Sequence, residues 1–193
     1  MRRAGGQVKH VPAGRVHWRA HVKRAHSKRA LWQWLADPLS LTSKLEKRSL
    51  HFHVRLLHQG TAKSRPDECK ILGLRLRTPV WERQVLLCCG EKPVVFARTV
   101  VSRNKAFADW PYIRTLGQRP LGKWLFADHG VIREAFQFAE LPPACPDAGT
   151  VCRFLGEKKA GGTVYARRSL FRRHRGRLLV TEFFLPPIMQ FIE

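Results

Sequence analysis

The chain has 193 residues, enough for one domain with a full hydrophobic core, and 36 Lys and Arg against 14 Asp and Glu give it a net charge of +22. This charge favours polyanions, anionic membrane surfaces or small anionic substrates as partners, without choosing among them. The odd cysteine count and the lack of paired CxxC motifs argue against a zinc site. No apolar run reaches the ~18 residues of a membrane-spanning helix and no signal-peptide core is present, so we expect a cytoplasmic protein with reduced thiols.

The first 30 residues form a basic arm that we expect to be disordered. They contain nine Lys or Arg, four His and no acidic residue, with almost nothing that could build a core. Contact of this arm with nucleic acid or a membrane, or a role as an organelle transit peptide, is left open by the composition. We place the folded domain at residues 31–193.

Two short helices are predicted at the start of the domain. LWQWLADPL has apolar residues at helical spacing and should end before Pro38. SLTSKLEKR follows, and Ser40 or Thr42 can cap its first turn. The hydrophobic period then changes from helical to alternating.

The rest of the domain is predicted to be mainly strands. HFHVRLLH, ILGLRLR, PVWERQVLLCC and PVVFARTVVS alternate or run apolar, and the GEKP turn joins the last two as an antiparallel hairpin. After a helical or irregular segment, further strands are predicted at VIREAFQFAEL, VYARRSLFRRH and GRLLVTEFFL, with an extended loop over residues 141–163. Helices gathered first and strands joined by short turns indicate an α+β fold with a single antiparallel sheet.

Three charged residues lie on apolar faces of the predicted strands. Strand alternation places Glu182, Arg83 and Arg98 each among core-forming side chains. A buried charge without a partner is costly, so we expect the three to meet in space. One alternative is an ion pair between Glu182 and an arginine that only fixes strand register. The other is a small apolar pocket with Arg at one end and Glu at the other, suited to a ligand with a carboxylate and a hydroxyl.

A basic cluster in the last predicted hairpin has three interpretations. It could attract a dianionic substrate, contact nucleic acid or form a solvated rim, and its members are Arg167, Arg168, Arg172, Arg173, Arg175 and Arg177. Nucleic-acid binding is disfavoured because most tryptophans lie in core-like patterns. His51 and His53 share a strand face but lack a third ligand, so no metal site is predicted.

Four segments of the domain carry a family resemblance. They read WQWLADPLSLTSKLE, WERQVLLCCGEKPVVFARTVV, LGQRPLGKWLF and ARRSLFRRHRGRLLVTEFFLP, covering roughly Trp32 to Pro187. In this order and spacing they resemble the chorismate lyase family. The resemblance implies a monomeric chorismate pyruvate-lyase that converts chorismate to 4-hydroxybenzoate and pyruvate for ubiquinone biosynthesis, with no cofactor or metal. It also implies an antiparallel sheet with helices packed on one side and over a buried ligand pocket.

The resemblance also implies roles for the charged residues. By motif match, Arg83 would bind the ring carboxylate together with the main-chain amides of Leu41 and Leu121. Glu182 would hold the 4-hydroxyl group. The resemblance assigns no role to Arg98, which could bind the enolpyruvyl carboxylate or pair with Glu182, and the residues do not decide between the two. The segments around Leu41 and Leu121 would be the flaps that seal the pocket.

Two segments depart from the family pattern, namely the basic arm before Ala30 and the long stretch from Leu141 to Thr163. The main alternative to an enzyme is a non-catalytic domain of the same fold that senses a small aromatic acid, as in effector-binding domains of some bacterial transcription regulators. Against this alternative, no helix-turn-helix pattern precedes the domain.

Overall fold

Within the residues that the structure describes, seven strands form one antiparallel sheet at the centre of the fold. The computed structural model describes residues 16–21, 29–106, 108–141 and 163–192. The strands are β1 Phe52–Lys63, β2 Pro79–Cys89, β3 Lys92–Ser102, β4 Ile132–Arg133, β5 Gln137–Leu141, β6 Val164–Arg173 and β7 Gly176–Phe184. Their order across the sheet is β1-β2-β3-β7-β6, with both β4 and β5 paired to β6. The predicted α+β class with a single antiparallel sheet is confirmed.

The helices are short, with four to eight residues each. They are α1 Arg29–Ala36, α2 Leu41–Arg48, α3 Pro66–Leu72, α4 Arg103–Ala106, α5 Leu121–Ala127 and α6 Met189–Ile192. The first two are confirmed as predicted, and the Ser40 hydroxyl caps α2 by accepting a hydrogen bond from the Ser43 N–H at 3.3 Å. Within the described ranges, no helix has the length and apolar character needed to cross a membrane.

The two faces of the sheet are covered differently. Helices α1, α2 and α5 pack their apolar residues on one face, where Leu35 and Leu45 are fully buried. The opposite face carries α3, whose Leu72 packs against Val80 and Leu179. The predicted layer of helices on one side therefore holds, with α3 as an additional helix on the other side.

The prediction of a strand at ILGLRLR is wrong. Residues Ile71 and Leu72 complete helix α3, which begins at Pro66 and ends at Leu72, and the next residue, Gly73, caps it in the left-handed region at φ 67°. Proline in the first turn and glycine just past the last turn are helix boundary signals, and they outweigh the alternation of the apolar residues.

Part of the basic arm also differs from the expectation of disorder. Residues 16–21 lie beside the sheet, where Arg19 exchanges two main-chain hydrogen bonds with Phe138 at 2.9 and 2.8 Å. The Trp18 ring stacks on the Arg168 guanidinium at 4.2 Å and donates a hydrogen bond to Asp67 at 3.3 Å. The prediction is wrong for these six residues, because main-chain pairing and one aromatic anchor hold them. The rest of the predicted arm before residue 29 and the predicted loop at 142–162 lie outside the described residues.

Candidate active site

A cavity of about 630 Å³, counting its mouth, lies between the sheet and the first turns of α2 and α5. Four of the five residues predicted for the site line it, namely Leu41, Arg83, Leu121 and Glu182. The rest of its wall is mostly apolar, as is usual for a small-molecule site. In the part of the chain that the structure describes, no three His, Cys, Asp or Glu side chains are grouped as a metal site would require.

The strand register places Arg83 and Glu182 on the same face of the sheet. Arg83 on β2 is opposite Thr99 on β3, which is in turn opposite Val180 on β7. Glu182 lies two residues further along β7, so its side chain shares the face of Val180. Both charges therefore enter the same cavity from strands separated by β3.

Arg83 is held by main-chain carbonyl groups and by no carboxylate among the described residues. Its Nε and Nη2 donate to the Gly117 carbonyl at 3.2 and 2.9 Å, and Nη2 also donates to the Arg119 carbonyl at 2.9 Å. Nη1 has no acceptor in the described ranges. Burial lowers the pKa of Arg83 to about 10, so the guanidinium is still cationic at neutral pH. The result is a buried, oriented cation that is available to an anionic ligand.

Glu182 has its partner on the neighbouring strand. Arg167 on β6 lies directly opposite Glu182, and its Nε donates to the Glu182 carboxylate at 2.5 Å. Its Nη1 donates to the main-chain carbonyls of Trp34, Leu35 and Asp37 at 3.2, 3.1 and 3.0 Å. Arg167 is only 2% exposed and lines the cavity, so it is neither part of a solvated rim nor of a nucleic-acid surface.

Arg133 is a cavity residue that the sequence analysis missed. It belongs to β4, and its Nη2 donates to the Pro38 carbonyl in the α1–α2 connection. Its guanidinium lies 4.6 Å from the centre of the Phe136 ring. Burial and the neighbouring Arg167 charge lower the pKa of Arg133. No sequence signal identified it, because the strand that carries it has only two residues.

The prediction for Arg98 is wrong. Arg98 is opposite Thr181 rather than Glu182, so its side chain lies on the far face of the sheet and does not line the cavity. There its Nε and Nη2 donate to Glu68 at 2.7 and 3.2 Å, and Nη1 forms an ion pair with Glu82. It neither pairs with Glu182 nor reaches a ligand in the cavity. The three charges that we expected to meet are thus split between the two faces.

The first turns of α2 and α5 cover the cavity side by side. Leu41 and Leu121 are the first residues of these helices, where main-chain N–H groups have no acceptor within the helix. Gly122 allows the two turns to approach, because a Cβ atom at this position would lie 2.9 Å from the Ser40 hydroxyl. The first turns at SLT and PLG therefore pack together as the cover of the cavity, and their main-chain N–H groups have no acceptor within their own helices.

The family model described as chorismate lyase matches residues 13–191. The chain belongs to the chorismate lyase family. A probable chorismate pyruvate-lyase of Cupriavidus pinatubonensis (strain JMP 134 / LMG 1197) is 44% identical over 159 residues, covering 82% of this chain and 82% of that protein. One of Azoarcus sp. (strain BH72) is 39% identical over 180 residues, covering 92% of this chain and 95% of that protein. These relatives support a chorismate lyase activity.

The match to the chorismate lyase family begins upstream of the segments that suggested it. It includes residues 16–21, which pair with the sheet, so the expectation that nothing before Ala30 has a family counterpart is wrong. The contacts of Trp18 and Arg19 are therefore contacts of the family domain.

Solved structures with a similar fold include an effector domain and the C-terminal domain of a repressor. The effector domain of PhnF from Mycobacterium smegmatis has a TM-score of 0.53 at 13% identity, covering 78% of this chain and 92% of that chain. The C-terminal domain of the histidine utilization repressor from Pseudomonas syringae pv. tomato also has a TM-score of 0.53 at 13% identity, covering 71% of this chain and 93% of that chain. At this identity the likeness concerns the fold alone.

Proposed function

We propose that the protein is a monomeric, cofactor-independent chorismate pyruvate-lyase that releases pyruvate and 4-hydroxybenzoate, the latter for ubiquinone biosynthesis. The observation that carries the proposal is the apolar cavity lined by Arg83, with an uncommitted Nη1, and by Glu182 on the same sheet face. Family membership supports the reaction class. A cytoplasmic location suits the free cysteines Cys69, Cys88 and Cys89.

The ring carboxylate of the ligand would bind at Arg83. The uncommitted Nη1 can donate to one carboxylate oxygen, and the main-chain amides of Leu41 and Leu121 can donate to the other. Because the Arg83 charge is compensated only by carbonyl groups in the described residues, a carboxylate supplies the missing counter-charge. This is the role that the family resemblance implies for these three residues.

The 4-hydroxyl group of the ligand would bind at Glu182. The Arg167 ion pair occupies Oε2, which leaves Oε1 of Glu182 to accept a hydrogen bond from the hydroxyl. Arg167 is itself fixed by three carbonyl groups at the end of α1, so the carboxylate is held in one orientation. A rigid acceptor at this end and a rigid cation at the other would align the ring between them.

The reaction needs little chemistry from the protein. The bond between the ring carbon and the ether oxygen breaks, and the neighbouring ring carbon, which bears the hydroxyl, loses its hydrogen. The three-carbon fragment leaves with the ether oxygen and gains that hydrogen to become pyruvate. The two electrons of the C–H bond complete the aromatic ring, which provides the driving force. The cavity would contribute by binding the reactive conformer and by stabilising the negative charge that develops on the departing oxygen.

Two substitutions test the residues that we propose to bind the two ends of the ligand. We expect Arg83→Met and Glu182→Gln each to reduce kcat/KM for chorismate by at least about 100-fold while the protein remains folded, because each removes a charged contact to the ligand. Pyruvate release measures the activity, and circular dichroism with thermal unfolding measures the fold. Arg55→Met, at an exposed position of β1, is the matched control and should behave as the unaltered protein. Near-normal turnover in either cavity variant would contradict the assignment.

A further inference from the structure

The charges along the cavity wall do not balance. Three arginines line the cavity, Arg83, Arg133 and Arg167, whereas Glu182 is the one carboxylate among the described lining residues. The wall therefore carries two surplus positive charges. Burying a surplus charge costs free energy unless a bound anion compensates it. The cavity therefore favours a ligand with two negative charges.

The two surplus charges lie at different places on the sheet. Arg83 is on β2 and Arg167 is on β6, with β3 and β7 between them, which corresponds to about 14 Å across the sheet. Arg133 lies on the side of Arg167, because both guanidinium groups contact the Phe136 ring, each at 4.6 Å from its centre. One ligand anion would thus bind near Arg83 and the other near the Arg133 and Arg167 pair.

The Arg133 and Arg167 pair has donors left for an anion. Arg167 uses Nε for Glu182 and Nη1 for the end of α1, and its Nη2 has no acceptor among the described residues. Arg133 uses Nη2 for the Pro38 carbonyl, which leaves its Nε and Nη1 without an acceptor in the same ranges. Two cations next to one carboxylate still carry a net positive charge. Uncommitted guanidinium N–H groups are the donors that bind carboxylates best.

We infer that Arg133 and Arg167 bind the second carboxylate of the substrate, the one on its enolpyruvyl group. The inference rests on the proposed function and replaces the role that was expected of Arg98. In chorismate the enolpyruvyl ether is on the ring carbon next to the hydroxyl-bearing carbon. Because Glu182 holds that hydroxyl and contacts Arg167 at 2.5 Å, the second carboxylate lies beside this arginine. The same two cations face the oxygen that gains negative charge as the ether bond breaks.

The assignment separates substrate binding from product binding. Chorismate has two carboxylates and uses both cationic places, whereas 4-hydroxybenzoate has one carboxylate and uses only Arg83. Loss of Arg133 should therefore impair turnover of chorismate without a matching loss of product affinity. Arg133 is the better position to substitute, because it is half-buried and Arg167 also holds the end of α1.

The test compares Arg133→Met, Arg133→Lys and Arg83→Met with the Arg55→Met control. Pyruvate release from chorismate gives kcat/KM, and calorimetric titration with 4-hydroxybenzoate gives the product Kd. We expect Arg133→Met to lower kcat/KM by at least about 30-fold with the product Kd within about threefold of the unaltered protein. Arg133→Lys should recover part of the turnover because it keeps the charge. Arg83→Met should impair both quantities.

Each of three other outcomes has a separate meaning. If Arg133→Met keeps kcat/KM, or loses turnover and product affinity equally, the second-carboxylate site is overturned while the proposed function stands. If Arg133→Lys is no better than Arg133→Met although both are folded, the positive charge at this position is not what the substrate requires and the inference is also overturned. If the unaltered protein releases no pyruvate, the proposed function fails and the inference fails with it.

Discussion

Arg98 lies between two buried carboxylates on the face of the sheet opposite the cavity. Glu68 comes from α3 and Glu82 from β2, and all three side chains are at most 5% exposed. Burial alone would lower the pKa of Arg98, but the two carboxylates outweigh it and the pKa is raised. The arginine thus links a helix to two strands, and its removal would leave the two buried carboxylates without the cation that lies between them.

Removal of this link should affect stability rather than ligand binding. We expect Arg98→Met to lower the free energy of unfolding by about 3–5 kcal/mol, which is the usual cost of leaving buried charges unpaired. Urea denaturation measures this loss, with Arg55→Met as the surface control. At a temperature where the variant is folded, its 4-hydroxybenzoate Kd should stay within about threefold of the unaltered protein. A stable Arg98→Met protein that no longer binds the product would contradict the placement of Arg98.

Residue-level prediction from the sequence succeeded where alternation within one strand was enough. Alternation placed Arg83 and Glu182 among core residues, and both line the cavity. It could not predict which face of the sheet Arg98 occupies, because this depends on the pairing between strands. The pairing of Arg167 with Glu182 could have been predicted from the sequence. The turn near Arg175 and Gly176 sets the hairpin register, and counting back from this turn places the two residues opposite each other.

At the scale of elements, the close packing of α2 against α5 forms the cover of the cavity. The contact depends on Gly122, whose position leaves no room for a Cβ atom next to the Ser40 hydroxyl. The same hydroxyl caps α2, so a displaced Ser40 would also disturb the first turn that carries the Leu41 amide. The geometry of the two amides is therefore linked to one glycine.

A methyl group at this glycine should weaken ligand binding. We expect Gly122→Ala to raise the Kd for 4-hydroxybenzoate by about 10-fold, because about 1–3 kcal/mol of overpacking would push the two first turns apart. Calorimetric titration measures the Kd. Gly60→Ala is the matched control, since its Cβ would meet His58 at an ordinary 3.5 Å. Equal Kd values for the two variants would mean that the cover does not need this close approach.

Element prediction from the sequence was most successful for α1, α2 and the long strands, where the period is sustained. It was wrong for α3, whose alternating apolar residues resemble a strand although Pro66 and Gly73 bound a helix. It also merged β4 and β5 into one strand, and the interruption between them is where Phe136 contacts Arg133. The bounds of short elements depend on tertiary contacts, which a local sequence pattern does not reveal.

At the scale of the whole molecule, the net charge of +22 and the sheet-bound N-terminal segment are the two features to explain. A strongly positive protein attracts dianions over long distances, which suits a cavity with two surplus cations. The N-terminal segment, residues 16–21, lies beside the sheet and away from the cavity. There Trp18 packs on Arg168, and Arg19 pairs with Phe138. Its contacts stabilise the sheet and do not touch the cavity wall.

Two truncations separate these contributions. We expect deletion of residues 1–21 to lower the free energy of unfolding by about 1–3 kcal/mol relative to deletion of residues 1–15, because only the longer deletion removes the Trp18 and Arg19 contacts. Urea denaturation measures the difference. Both proteins should keep kcat/KM for chorismate at temperatures where they are folded. Equal stabilities would contradict the packing of this segment, and a large loss of turnover would make the N-terminal residues part of the enzyme.

The most direct measurement is to mix the purified protein with chorismate, follow pyruvate release and identify the aromatic product. The account predicts pyruvate and 4-hydroxybenzoate in equal amounts, with both lost in Glu182→Gln. It would be contradicted if chorismate stayed intact while 4-hydroxybenzoate bound tightly, because the cavity would then serve to sense an aromatic acid rather than to form one.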